Sequence, residues 1–324
     1  PRHYANIYYN GIVGKLNIDF NADYIWYKSR ELTFNNELSE MGNDREVNTS
    51  SINRNRMFAE KLVMTYPLWK GQIEIGEEYT NTRTTNLFSA NIPETPNADN
   101  RVDENNIAVF AELGQQFGRF MIGAGLRYEH VKFNYYEMGL LRDGQSKTYN
   151  NIFPSLNIAT QVGKVRMGLN YTGKTIRPGY GQLDGAISYI NRLTYETDNP
   201  YLKPTKLQTV EYMAQWRSFF AQLSFTYFKD GVYHITEPYG PEGEATIIRT
   251  ANLDHRHYLQ AFVGGNFQVG VWQPKVNIGM MKQWLSLPLN GEQVNMNTPI
   301  FMFQWQNAVH LPFDIWLNID AQLM

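Results

Sequence analysis

The chain has 324 residues and a net charge of −2, so no global field draws it to nucleic acid. It contains no cysteine, which excludes disulfide scaffolds, thiolate metal sites and cysteine nucleophiles. No run of about 18 apolar residues offers a transmembrane helix, but aromatics are abundant, with 21 Tyr and 18 Phe, and a membrane barrel stays open because every second residue of its strands faces water.

The chain begins Pro1-Arg2-His3, with neither an initiator Met nor an apolar signal core, which reads as a processed or cut end. From there, period-two alternation dominates. Leu16, Ile18, Phe20, Ala22, Tyr24 and Trp26 alternate with Lys15, Asn17, Asp19, Asn21 and Asp23. The pattern returns at Ile107–Leu113, Phe120–Tyr128, Val165–Tyr171, Val210–Trp216, Leu259–Val269 and Ile315–Ile319. No helix is predicted.

Tight turns are expected at 10–14, 67–71, 114–118, 162–164, 217–220, 270–274 and 310–313. Long polar stretches separate them, at 28–54, 80–104, 130–149, 173–207, 229–248 and 283–299, and these read as loops. The count predicts about 14 strands in up-and-down order, with a short-turn end and a long-loop end. Two architectures fit: a soluble β-sandwich or barrel, and a transmembrane β-barrel with its apolar faces in lipid. Three features favour the membrane barrel. Several strands keep alternation for about the 9–11 residues a bilayer needs. Their polar faces are charged, as a wet lumen requires and a dry core forbids. Most tight turns carry a large aromatic: Tyr9, Trp69, Phe117, Phe219, Phe220, Trp272 and Phe313, which reads as an interfacial girdle. The third and fourth strands fit least well. Residues 57–62 lack a clean phase, and Glu77 falls on the apolar phase of Ile73 and Ile75. Either a bulge or a position outside the membrane is expected there, because a charge facing lipid is costly.

Several motifs are weighed and set aside. Residues 168–175 match the P-loop pattern G-x-x-x-x-G-K-[ST], but Leu169 and Tyr171 continue a strand and Pro178 blocks the helix that phosphate binding needs. His255 and His257 share a strand face with Leu259 and are placed at the rim, two ligands being too few for a metal. Ser224 and His234 suggest no hydrolase, since nothing sets a base beside the nucleophile. No enzyme activity, metal or cofactor is expected. Phase alone names Arg119, Arg127, Glu129, Arg166 and Glu211 as lumenal polar residues.

Ile176-Arg177-Pro178-Gly179-Tyr180-Gly181-Gln182-Leu183, then Ile187-Ser188-Tyr189-Ile190-Asn191, then Asp198-Asn199-Pro200-Tyr201-Leu202-Lys203-Pro204, resembles a signature of the TonB-dependent receptors, outer-membrane β-barrels of Gram-negative bacteria. In that pattern an Arg-Pro segment leads through a tyrosine-rich bridge to Gly-Asn-Pro and Leu-Lys-Pro, followed by a strand with an early acidic residue, here Glu211. Asp198 stands where Gly is usual, and Asp184-Gly185 where Asn-Pro is usual. The resemblance implies a barrel of about 22 strands around a plug, with the TonB complex acting through a box on that plug. Neither plug nor box is visible, and the end at Ala321-Gln322-Leu323-Met324 lacks a closing aromatic. The chain is therefore expected to be one barrel domain, 1–324, cut from a larger barrel. A complete plugless pore or adhesin and a soluble all-β binding module are the alternatives. On the receptor reading, Pro200 and Pro204 stiffen an external loop. Tyr180, Tyr189, Tyr195 and Tyr201 in that loop are candidate contacts for an unidentified iron chelate, vitamin, glycan or peptide, or else packing residues. The partners implied are membrane lipid, the TonB complex and this ligand.

Overall fold

Alternating sequences become long antiparallel strands in the computed structural model, which describes residues 2–38, 43–289 and 292–324. The strands in chain order are β1 (Arg2–Val13), β2 (Leu16–Glu37), β3 (Arg45–Leu68), β4 (Gly71–Ala90), β5 (Ala98–Phe117), β6 (Phe120–Glu137) and β7 (Leu140–Leu141). Next come β8 (Lys147–Val162), β9 (Val165–Ile176), β10 (Ile187–Asn191), β11 (Thr194–Thr197), β12 (Thr205–Trp216) and β13 (Phe219–Tyr239). The last are β14 (Ala245–Asn266), β15 (Trp272–Trp284), β16 (Ser286–Leu289), β17 (Glu292–Asn295), β18 (Ile300–Leu311) and β19 (Ile315–Leu323). The described residues contain no α-helix.

Fourteen of these strands form the wall, paired in the order β1–β2–β3–β4–β5–β6–β8–β9–β12–β13–β14–β15–β18–β19. Among the described residues no register joins β1 to β19, so the sheet is open. The register puts residues on two faces. Asn21, Lys61, Glu78, Ala108, Glu129 and Asn151 lie in one row on the inner, polar face. Phe20, Leu62, Glu77, Val109, Tyr128 and Ile152 lie in the adjacent row on the outer face. Outward apolar side chains such as Ile107, Leu126, Val210, Leu223, Val263 and Ile278 are exposed, as residues facing hydrocarbon must be in a chain without its membrane.

Tight turns fall where the sequence placed them, with local corrections. β1 runs on to Val13 and β5 to Phe117, so the turns close on Gly14 and Gly118, both at positive φ. The stretches read as loops are corrected more heavily. Most of 28–54, 80–104, 130–149 and 229–248 is strand, because β2 to β5 each extend over 20 or more residues. Above the membrane both faces of a strand meet water or polar contacts, so the alternation that marks a strand fades while its hydrogen bonds continue. Residues 39–42 and 290–291 of the 28–54 and 283–299 stretches, and Pro1, lie outside the described residues.

The expected irregularity at β3 and β4 is absent. Their register is unbroken from Thr49↔Ala90 to Leu68↔Gly71, with no bulge. Lys61 turns inward to Glu78, and Glu77 stays on the lipid face between Leu62 and Val109. Six residues above the turn at about 3.3 Å each, on a strand tilted about 45°, place Glu77 about 14 Å up, near the bilayer centre. Glu77→Leu is expected to stabilise the protein by about 1 kcal/mol, less than the range for a lipid-facing Lys or Arg. Reversible urea unfolding in lipid vesicles measures this, and an unchanged free energy would mean that water reaches the carboxylate.

Candidate functional site

The segment between β9 and β12, residues 177–204, does not project outward. It folds back across the mouth of the wall on the polar side. It begins at Arg177, makes a short 3-10 turn at Tyr180–Leu183, forms the β10–β11 hairpin, and returns through Pro200 and Pro204 to β12. Prolines suit such a strap because they forbid helix and fix φ. Pro200 packs on Gly185, whose φ is +72; a Cβ there would come within 3.1 Å of the proline ring.

Three sets of contacts hold the strap down. The first is to the β5–β6 wall. Leu183 and Leu202 bury with Val102, Phe133 and Tyr135, and Tyr180 and Val232 pack against them. Asn100 Nδ2 donates to both the carbonyl and the carboxylate of Asp184, and the Tyr135 hydroxyl donates to the same carbonyl at 3.0 Å. The second is to β14, whose upper part extends beyond the end of β15. β11 pairs in parallel with its open edge, Thr194↔Thr246 through Thr197↔Arg249. The third reaches the β2–β3 side. Arg192 bonds Glu37 through its backbone N–H at 3.1 Å and its guanidinium at 3.4 Å. There Tyr189 and Tyr195 bury with Val47, Ala245 and Ile247. Val47 and Ile247 sit on β3 and β14, with seven staves between them in the wall, so this cluster spans the mouth from side to side.

Below the strap runs a chain of charges on the inner face. Lys61 Nζ lies 2.9 Å from Glu78, Arg127 bridges Glu78 at 2.5 Å and Glu129 at 2.9 Å, and Arg177 reaches Glu129 at 2.9 Å. Arg177 also lies 4.0 Å from Glu104, to which the Tyr180 hydroxyl donates at 3.3 Å. Glu104 is 8% exposed. Each carboxylate is shared by two donors, which offsets the desolvation of a charge held against the wall.

The residues named from phase separate here. Arg127 and Glu129 meet in this network. Glu211 is inward and takes a hydrogen bond from Gln222 at 2.7 Å. Arg166 faces inward opposite Gln215 near the short-turn end. Arg119 sits in the β5–β6 turn, not in a strand, with its guanidinium over Phe120, and lines a hollow with the inward residues Asn157, Arg166 and Gln215. Of the tyrosines, Tyr189 and Tyr195 are buried and stack edge to face at 5.5 Å. Tyr180 is half-buried at the charge network. Tyr201 is 56% exposed, with its hydroxyl accepting from Gln145 at 3.1 Å. Glu78, Glu104, Asn100 and Arg192 were not singled out by sequence; the inward phase of Glu78 and Glu104 was the available signal. The P-loop match lies in extended β9, as its strand phase implied. Ser224 and His234 lie ten residues apart on β13, about 33 Å along the strand. His255 and His257 face outward at the rim with ring centroids 5.8 Å apart, and no group of three metal-binding side chains occurs among the described residues.

Asp198 gives the strap a pH dependence. Burial, and next the nearby Asp184 carboxylate, push its pKa up to about 6, although the Thr250 hydroxyl donates to it at 3.3 Å. Asp184 is also raised by burial. A carboxyl whose folded pKa exceeds its unfolded value stabilises the fold below the unfolded pKa, and that stability is lost as pH rises through the folded pKa. Docking of the strap is therefore expected to strengthen as pH falls from about 6 to 4. Asp198→Asn should hold it docked at neutral pH and flatten this window. Hydrogen exchange of β11 across pH 4–7 reads the difference, and parallel profiles for the two proteins would refute it.

A 14-stave wall with an apolar outside, a charged inside and a strap over its mouth defines an outer-membrane β-barrel. Residues 13–324 match the outer membrane protein beta-barrel family, and the chain belongs to that family. No curated protein sequence matches it. Among solved structures it is similar to the closed form of the ferric-catecholate import receptor Fiu from E. coli K12, with TM-score 0.63 and 14% identity over 99% of this chain and 53% of that one. It is also similar to the copper transporter OprC, with TM-score 0.63 and 12% identity over 99% of this chain and 59% of that one. The siderophore receptor PiuA from Acinetobacter baumannii aligns at TM-score 0.61 and 11% identity, over 99% of this chain and 54% of that one. At such identities the likeness is one of fold, the barrel fold of TonB-dependent receptors. The chain spans little more than half the length of these structures.

Proposed function

We propose that this wall is the barrel part of a TonB-dependent receptor that takes up a solute too large to diffuse through a pore. The observation that carries the reading is the strap. It is packed across the mouth on the polar side by two apolar clusters and a β-pairing, so a solute must pass it, which suits a gated receptor better than an open pore. The inner wall and strap would bind and pass the ligand without covalent chemistry. Tyr201, which is exposed, and Tyr180 at the edge of the charge network would touch it, while the buried Tyr189 and Tyr195 would hold the strap. Coupling to the TonB complex would require a plug, which the fourteen staves and the strap do not include. Ferric catecholates, other siderophores and copper are the first ligands to test, since the three similar structures are named for these. Cells expressing the full receptor should accumulate a labelled metal chelate only when TonB is functional. TonB-independent passage of small solutes would point instead to a plugless pore.

A further inference from the structure

The outer face carries a second feature, above the lipid-facing band. The row that follows Glu77, Tyr79 and Asn81 up β4 contains Trp26, Arg56, Arg83 and Asp103, and the next contains Lys28, Arg54, Thr85 and Arg101. Arg30 stands one row higher. Six cations, Lys28, Arg30, Arg54, Arg56, Arg83 and Arg101, thus share these three rows on the outside of four adjacent strands with two carboxylates, Asp103 and Asp99; Glu60 and Glu77 lie on the same face in rows below. Asp103 is bonded by Arg83 at 2.7 Å and lies 3.5 Å from Arg101. Among the described residues Lys28, Arg30, Arg54 and Arg56 form no ion pair, and all four are exposed.

Two of the juxtapositions are unfavourable as they stand. Arg56 is directly opposite Arg83, and Lys28 directly opposite Arg54. Like charges facing each other across neighbouring strands, with Cβ atoms about 5 Å apart, destabilise a sheet. An anion between them would remove the repulsion. The height of the patch says where that anion comes from. Arg83 is twelve residues above Gly71, which at about 3.3 Å per residue and a tilt of about 45° is about 28 Å, the thickness of the hydrocarbon layer. The Arg56–Arg83 row therefore lies at head-group level of the leaflet on the long-loop side, which is the outer one. Tyr24, Phe58 and Tyr79 mark the interface just beneath, and Trp26 stands in the row itself.

We infer that the outer face of β2–β5 binds the phosphate groups of a phosphorylated glycolipid in the outer leaflet, its acyl chains lying along the apolar band below. The guanidinium pairs Arg54/Arg56 and Arg56/Arg83 offer several donors to one phosphate, a geometry that lysines do not reproduce as well. The inference rests on the outward charges and their height, and is independent of what the receptor transports.

The test uses the protein isolated from outer membranes in an uncharged detergent, with diphosphoryl lipid A as the probe. Native mass spectrometry and a fluorescent-lipid titration should both show binding that weakens with salt. Arg54→Gln/Arg56→Gln should bind at least tenfold more weakly, at about fivefold per cation near an anionic surface. Both side chains are exposed, so the fold should survive, and Arg54→Lys/Arg56→Lys should keep most of the affinity if it does. Equal affinity for fully dephosphorylated lipid A, or wild-type affinity in the Gln variant, would overturn the inference. Displacement by inorganic phosphate at concentrations where sodium chloride of the same ionic strength leaves the lipid bound would overturn it too, as it would mark a site for soluble anions.

Discussion

Arg177→Ala should free the strap from the β5–β6 wall. Arg177 joins Glu129 at 2.9 Å and Glu104 at 4.0 Å, and its removal leaves Glu104 buried with only the Tyr180 hydroxyl as partner. Breaking a fully buried pair by deleting one member costs about 3–5 kcal/mol. The Arg177 side chain is 30% exposed and the longer contact is 4.0 Å, so water and screening reduce this to about 2 kcal/mol. That is roughly a thirtyfold change in the docking equilibrium. Limited proteolysis of outer-membrane vesicles within 177–204 should speed up by about that factor, because cleavage follows the population of the open form when reclosing is fast. Arg177→Lys should fall between the two, keeping the charge and losing the planar fork. If Arg177→Ala is cleaved no faster than the natural protein, the charge network does not hold the strap.

This network also marks the limit of what the sequence shows. Period two assigned a face to the strands where it was clean, and the register agrees for Val210, Tyr212, Ala214 and Trp216 outside and Thr209, Glu211 and Gln215 inside. A side chain's face follows from parity, which needs no knowledge of partners. Strand ends were less legible. In 28–54 both faces are polar, so β2 and β3 looked like a loop although their pairing continues from Lys28↔Arg54 to Glu37↔Arg45. Glu77 was read as out of place, and of the two remedies expected the bulge is absent: the backbone stays regular and the carboxylate remains on the outer face. The strap motif was recognised as a unit, yet its direction was not readable. Whether Tyr195 points to solvent or into a cluster with Ile247 depends on contacts more than fifty residues apart in sequence, which no local pattern encodes. The partners Glu78, Glu104, Arg127 and Arg177 likewise come from three different strands and the strap root.

The four strap tyrosines should therefore separate in two experiments that measure different things. Tyr195 is 3% exposed, with its ring 5.5 Å from Tyr189 and 4.8 Å from Tyr239. Removing a buried aromatic of this size costs about 3–5 kcal/mol through lost burial and the cavity left behind. Tyr195→Ala is expected to undo the β11–β14 pairing, seen as rapid hydrogen exchange at Thr194–Thr197, whereas Tyr195→Phe should stay within about 1 kcal/mol because the ring is kept. Tyr201 contributes little to packing at 56% exposure, and Tyr201→Ala should leave strap exchange unchanged. If Tyr201 touches the ligand, the same variant should weaken chelate binding by about tenfold, the range of a single lost aromatic contact. The opposite pattern, with Tyr195→Ala leaving the strap protected and abolishing ligand binding, would move Tyr195 from the closing cluster to the ligand. It would also mean that the rest of the side-to-side cluster, Val47, Tyr189 and Ile247, holds the strap without it, together with the β11–β14 pairing and the Arg192–Glu37 contact.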